Sequence, residues 1–390
     1  MDNLAHSLVG LTAAKAGLER LSPSATAACI LAANAADSDF ISLFFGGRWT
    51  LLQNHRGITH SIAGTLVLGI LIPTMFWMGD QVIAGLQKRK PLIRYRGLLL
   101  ASVIASATHP LMDWTNNYGI RLMLPWSSKW FYGDLMFIID PYFWLIVGSA
   151  AFLLTSDRTS KLIAWSILAT VVSLIVFSAS SRRSELVHPN TVRVIWFSAI
   201  FALAIARTAR LGARLGRGLA FGSFAVVLVY WSFLGWAHSR AYAQAVGVAT
   251  QVASQQQERV INSAAMPTAA NPFRWLCVVE TDRAMYRFSV GVGDNGLVPN
   301  QPASTNSSAM PGVQRYAKPV NSDEELVSVA ERDPRARIFL GFARFPLARA
   351  KDDNCIGQTL VQFADLRYTE PGAQPRGTFS LEVPVECPQK

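Results

Sequence analysis

Six long apolar runs, separated by short polar segments, occupy 58–78, 97–113, 135–155, 162–180, 192–206 and 219–237. Each approaches the roughly 20 residues that an α-helix needs to cross a bilayer. Two shorter, Ala- and Gly-rich stretches precede them, 4–21 and 23–36, broken at "ERLSPS". There Ser22 is the expected helix cap and Pro23 the expected first helical residue. Small residues on both stretches allow close helix packing. Trp77, Trp114, Trp130, Trp144, Trp196 and Trp236 fall near the ends of the runs, where interfacial aromatics are expected.

Beyond residue 240 the pattern changes. Residues 241–270 read as a polar helical connector. From 271 onward, "RWLCVVET", "AMYRFSVGVG", "RIFLGFARFPLA", "TLVQFADLRYT" and "GTFSLEVPVE" are short β-branched and aromatic runs with turn residues between them. "SDEELVSVAERD" reads as one helix capped by Ser322, and 295–312 as a loop by composition. The expected architecture is an all-α polytopic membrane bundle over 1–240, with about six long spans after an N-terminal helical hairpin. The connector follows, then a small soluble α+β domain over 271–390.

Composition strengthens the membrane reading. The 390 residues are 51% hydrophobic and 16% charged, against about a quarter charged in soluble domains. The net charge of +11 does not point to nucleic acid, because the Lys and Arg fall in short segments between apolar runs, without a reading helix or aromatic platform. Segments 79–96, 156–161 and 207–217 hold most of them, so the positive-inside rule places these in the cytoplasm. Lys15 and Arg20 then lie inside as well, and the C-terminal domain is expected to be extracytoplasmic. The start, "MDNLAHSLVG", lacks the basic region of a cleavable signal. The four cysteines, Cys29, Cys277, Cys355 and Cys387, include no CxxC pair, which argues against a thiolate zinc site. Cys29 is expected in a core, and an exported tail would permit a Cys355–Cys387 disulfide among other pairings.

The ionisable residues gather at one side of this topology. Asp2 and His6 share a face of the first helix; Asp37 and Asp39 close the second; His55 and His60 flank "NHRGITHS" at the mouth of the next run. His109 and Asp113 are one helical turn apart, and Asp134 and Asp140 bracket the start of another run. Four of the six histidines and six aspartates thus converge on the outer side. His188 and His238 read as isolated interfacial residues. Each piece has a bland alternative: a polar helix end for HxxxD, a lipid-headgroup anchor for Arg56, a hydrogen-bonded buried carboxylate for Asp140. Together, imidazole and carboxylate suit zinc, manganese or iron. The candidates outnumber the three protein ligands of one catalytic zinc, so two or three ions are expected, in a site suited to phosphoester hydrolysis. In that reading His60, His109 and Asp113 bind metal, and Asp37, Asp39 and His55 complete or bridge a second position. His6 and Asp2 add or orient a ligand, and Arg56 faces the substrate anion.

The blocks "MDNLAHSLVG", "NAADSD", "HRGITHS", "THPLMDWTNNYG" and "WFYGDLMFIIDPYFW", with the later "FARFPLA" and "DLRY", resemble the YdjM-like family of bacterial inner-membrane proteins classed as metal-dependent hydrolases. The resemblance implies that His6, Asp37, Asp39, His55, His60, His109 and Asp113 form the metal and catalytic set. It further implies that Asp2, Arg56, Asp134 and Asp140 are neighbours of that set, and that His55, Arg56 and Asp39 act catalytically. It departs at Ala36, where the family often has proline before the first aspartate. A looser likeness, to zinc-dependent phospholipase C and S1-type nucleases, is analogy alone. The expectation is therefore a multi-pass inner-membrane hydrolase whose partners are membrane lipid, a lipid-linked phosphoester substrate and a protein partner for the tail, with no nucleic acid. The alternatives are a non-catalytic scaffold or regulatory protein with a structural metal, and a transporter, which the clustering at the interface rather than the midplane disfavours.

Overall fold

The computed structural model describes residues 1–182, 189–293, 297–298, 310, 312–351, 357–373 and 379–387. His188, Cys355 and most of the 295–312 loop lie outside these residues. In chain order the helices are α1 (Asn3–Lys15), α2 (Ala25–Asn34), α3 (Ser42–Asn54), α4 (Ile62–Leu86), α5 (Tyr95–Trp114), α6 (Pro141–Thr155), α7 (Thr159–Arg182), α8 (Pro189–Thr208), α9 (Leu211–Leu215) and α10 (Arg217–Gln256). There follow β1 (Val260–Thr268), β2 (Asn271–Thr281), β3 (Ala284–Gly291), β4 (Leu297–Val298), β5 (Gln314–Ala317), α11 (Ser322–Ala330), α12 (Pro334–Phe342), β6 (Pro346–Ala350), β7 (Gln358–Asp365) and β8 (Ser380–Glu386).

Among the described residues, five helical segments are long and apolar enough to cross a membrane: Ala25–Asn54, Ile62–Leu86, Thr159–Ser178, Asn190–Thr208 and Arg217–Gln256. The expected runs at 97–113 and 135–155 do form helices but are not among the five. α6 has only 15 residues, and α5 carries Ser102, Ser106, His109 and Asp113 on its buried side. The remaining segment, Ala25–Asn54, is interrupted. A 3-10 turn at Ala35–Ile41 separates α2 from α3, and Gly47 breaks α3 with a non-helical backbone at φ 69°. Large apolar side chains such as Val67, Leu174, Phe201 and Val229 face outward on the long helices, as lipid contact requires.

The chain divides into two compact units. The first comprises Met1–Ser38, Arg56–Gly235 and Thr268–Pro272. In it α1, α2 and α5 meet through Ala14, Ala28, Cys29, Ala32, Ala101 and Ala105, small side chains that let backbones approach. Cys29 is a buried core residue, as expected. Ser22 does not cap α2. Its hydroxyl accepts from the Arg94 amide (2.9 Å), and Ser24 takes the cap position without a side-chain bond. Trp144 and Trp196, expected at the interface, are instead buried in a cluster with Phe143, Val147, Val172 and Val227. Their indole groups donate to Asp2 and to Ser173, which satisfies the polar end of a buried tryptophan.

The second unit comprises Asp39–His55, Trp236–Pro267 and Phe273–Lys390. Its larger sheet has the order β1-β2-β3-β4, with β5 also paired to β3, and its smaller sheet runs β6-β7-β8. Alternation along β2 explains the packing: Trp275, Cys277 and Val279 face an alanine stripe on α10 (Ala237, Ala241, Ala245, Ala249). Val278, on the other face, packs with Phe345, Leu347 and Leu366. α3 packs on α12, with Trp49 against the core of Phe339, Val361 and Phe363.

Four expectations change here. The connector is not helical throughout, since β1 occupies Val260–Thr268. "RIFLGF" is helix, because Asp333 accepts from the Arg335 amide and Pro334 starts the first turn. Asn321, not Ser322, holds the cap position of α11. His238 lies within α10 against Trp275 (5.4 Å between rings) rather than at a helix end.

Candidate metal centre

Three elements bring Asp37, His60, His109 and Asp113 together inside the first unit. Asp37 sits on the 3-10 turn after α2. His60 ends a second 3-10 turn, Ile58–His60, just before Ser61 caps α4 by accepting from Gly64. His109 and Asp113, one turn apart, share a face of α5. All four are buried, and one donor atom from each lies within 4.8 Å of the others.

The spacing of those atoms is specific. His109 Nε2 lies 3.1 Å from His60 Nε2. His60 Nε2 is 3.4 Å from both Asp37 Oδ1 and Asp113 Oδ2, and His109 Nε2 is 3.6 Å from the same two oxygens. Donors about 2.0–2.2 Å from a common centre, at tetrahedral angles, stand about 3.3–3.6 Å apart. Four of the five distances fall in or at this range, the two histidine nitrogens stand slightly closer, and the two aspartate oxygens lie within 4.8 Å of each other, so the quartet is close to ligand spacing.

The ring orientations agree with this. α2 ends at Asn34, so the Ala33 carbonyl has no partner within its helix. His109 Nδ1 donates to it at 2.7 Å. Nδ1 thus holds the proton, and the lone pair of Nε2 points at the quartet, the arrangement of a metal-ligating imidazole. His60 Nδ1 stands 3.1 Å from Thr59 Oγ1, a hydroxyl that can donate or accept.

His6 stacks on His109, with ring centroids 3.8 Å apart. Its Nε2 stands 3.4 Å from the outer carboxylate oxygen of Asp113, and neither ring nitrogen makes a hydrogen bond. Burial pushes His6 down to about 3, which favours the neutral ring. The Met1 amino group ion-pairs with Asp113. Arg56, in a left-handed backbone conformation, is buried with its Nε 3.1 Å from Asp113 Oδ2. Its Nη1 donates to Asn116 Oδ1 (2.7 Å) and Gly119 O (3.3 Å).

The other expected residues are placed differently. Asp39 and His55 belong to the second unit and pair with each other, Nδ1 to Oδ1, at 3.0 Å. Asp2 caps α1 by accepting from Ala5 (3.0 Å) and also receives the Trp144 indole proton. Asp140 caps α6 by accepting from Phe143 (2.9 Å) and takes the Tyr230 hydroxyl proton (2.8 Å). Asp134 is buried in a left-handed turn. Sequence reasoning did not single out Thr59, Ala33 or Asn116, which orient the rings and the guanidinium. A backbone carbonyl in particular leaves no signal in residue type.

Residues 1–184 match the YdjM inner membrane protein family. The quartet, His6 and Arg56 all lie inside the matched residues, whereas the sheets of the second unit lie beyond them. The chain is also similar to the uncharacterized protein YfhP of Bacillus subtilis (strain 168), 26% identical over 155 residues. That alignment covers 37% of this chain and 43% of YfhP, so the chain spans less than half the length of that relative. No solved structure matches the chain.

Proposed function

We propose that this chain is an integral-membrane, metal-dependent hydrolase acting on a phosphoester, or a lipid-linked substrate, at the membrane interface. The observation that carries the reading is the close spacing of Asp37, His60, His109 and Asp113, with one donor atom of each within 4.8 Å of the others and the His109 Nε2 lone pair turned inward. These four residues would hold a divalent cation, zinc by donor type, with manganese or iron as alternatives. Such an ion supplies Lewis acidity and lowers the pKa of bound water. The chain's own contributions are positional. His6 abuts the second oxygen of Asp113, so that carboxylate has a nitrogen donor on each side and is suited to bridge two ions. Arg56 adjoins the same carboxylate with a planar donor fork that matches phosphate oxygens.

The reading also assigns the C-terminal domain to the extracytoplasmic side. The basic segments at 79–96, 156–161 and 207–217 support this. So does Cys387, which is disulfide-bonded, since disulfides persist in oxidising compartments.

One observation favours a second reading, a structural metal in a non-catalytic protein. Structural sites are closed by four protein ligands, and all four donors here are buried. Elemental analysis of the purified wild type, His60→Ala and Asp113→Ala, with a phosphoester panel run on each, separates the two. The hydrolase reading expects metal and turnover in the wild type and loss of both in the variants. Metal lost without any wild-type turnover supports the structural reading. Equal metal content in all three removes both.

A further inference from the structure

We infer that the helical unit holds one acyl chain of a resident membrane phospholipid in a groove between α1, α6, α7 and α8. The groove encloses about 370 Å³. Leu8, Trp144, Leu168, Trp196 and Ile200 line its walls, and Arg207 and Thr208 stand at one end.

Its shape selects the occupant. Along α8 the lining runs from Trp196 to Thr208, and along α7 from Leu162 to Val172. At 1.5 Å per residue these stretches measure about 15–18 Å. Dividing the volume by that length gives a cross-section of about 20–25 Å² for the space open to atom centres, which makes the groove about 8 Å wide from wall to wall. A helix from a second copy or another protein is about 10–12 Å across and does not enter. A single polymethylene chain does. Because α7 and α8 are both membrane-span candidates, the surrounding medium supplies such chains.

The polar end fits the headgroup. Arg207 is held at the mouth by its Nε and Nη2, which donate to the Ser156 carbonyl at 3.3 and 3.0 Å. The phosphate of the lipid would meet this guanidinium, on the side of the helix whose following loop is basic in sequence. The chain's methyl end then lies by Leu4, Leu8 and Trp144. Leu4 and Leu8 share one face of α1, and His6, two residues from each, lies on the opposite face against His109. The headgroup thus sits at the end of the groove away from α1, which makes this lipid a resident support for the helix bearing His6 rather than a substrate. The inference rests on the membrane location alone and not on hydrolysis.

The test uses the full chain in nanodiscs containing a phospholipid with a diazirine near the end of one acyl chain. After irradiation, labelled peptides are mapped by mass spectrometry. The expected result is labelling of groove residues on α6, α7 and α8 several-fold above that of the outward face of α4. Ala169→Trp, which fills the groove, should bring the groove signal down to the α4 level and leave α4 unchanged. Arg207→Gln should weaken retention of phospholipid, but not of diacylglycerol, through detergent washing. Groove labelling equal to that of α4 in the wild type overturns the inference, whether or not the tryptophan variant folds. Photo-cross-links to a second copy or another protein from a photoreactive residue placed at position 169 would overturn it as well.

Discussion

At the scale of single residues, the protein uses its buried carboxylates in two ways. Asp2 and Asp140 accept backbone amide protons at helix starts, where such donors have no partner within the helix. Asp37 and Asp113 instead face imidazole nitrogens. That difference makes separate predictions. Asp113→Asn keeps the volume and removes the charge; the zinc affinity of the purified protein, read by competition with a chelating dye, should fall by more than the roughly 10–100-fold that loss of an outer partner causes. Asp140 behaves otherwise. Burial pushes its carboxyl up to about 6, despite the amide and hydroxyl protons it accepts. The folded chain therefore binds this proton more tightly than the unfolded chain, whose carboxyl titrates near ~3.9. Its stabilising contribution is full below about pH 4 and is lost as pH rises through about 6. Asn caps helices about as well as Asp, so Asp140→Asn should flatten the fall in melting temperature between about pH 4 and 7. An unchanged pH profile would show that Asp140 does not titrate there.

Among the elements, the close approach of α1 to α2 sets where His6 stands. A Cβ on Gly10 would come 2.7 Å from the Cys29 carbonyl oxygen and 3.0 Å from the Ala33 Cβ, so only glycine fits without a shift. Gly10→Ala should cost about 1–3 kcal/mol, as overpacking does, measurable by chemical denaturation in detergent. Because Ala33 also receives the His109 proton, the same change should weaken metal binding, although position 10 touches no ligand. Wild-type stability and zinc affinity in this variant would argue that the helices can separate freely. The element that pattern reading missed is α3. Gly46 and Gly47 interrupt it, and the preceding "NAADSD" looks like a chain exit rather than a bridge between helices. Its place follows from packing, with Trp49 set against a core formed by residues some three hundred positions later.

On the scale of the whole molecule, the second unit depends on a polar junction near the start of β1. Glu258 accepts from Arg315 (2.6 Å), Thr281 (2.6 Å) and Tyr286 (2.8 Å). Despite its burial, these partners hold its carboxyl below the usual glutamate value, with Arg315 the largest of them. The stability it adds is present above the unfolded value of ~4.3 and is lost as pH falls below it. Glu258→Gln should destabilise the sheet unit by about 2–3 kcal/mol at neutral pH, since hydrogen bonds to a charged group are broken, and by less at an acid pH well below about 4.3. Urea unfolding at the two pH values checks this; an equal cost at both would assign the effect to shape alone. How much of this architecture was legible in the chain follows from the range of each force. Apolar runs, helix caps and strand alternation depend on neighbours within a few residues, so the membrane helices, the β-rich tail and the His and Asp blocks could be read directly. The count of spans could not, because length and polarity within α5 and α6 matter as much as the mean pattern. Nor could the division of roles among the aspartates. Asp2 and Asp37 are the same residue type, and only the packing of α1, α2 and α5 turns one into a helix cap and the other into a member of the quartet. The sequence alone determined which side chains could hold a metal. The tertiary structure decided which four stand at ligand spacing, because that depends on contacts between segments from about twenty to more than seventy residues apart, and local pattern carries no record of such contacts.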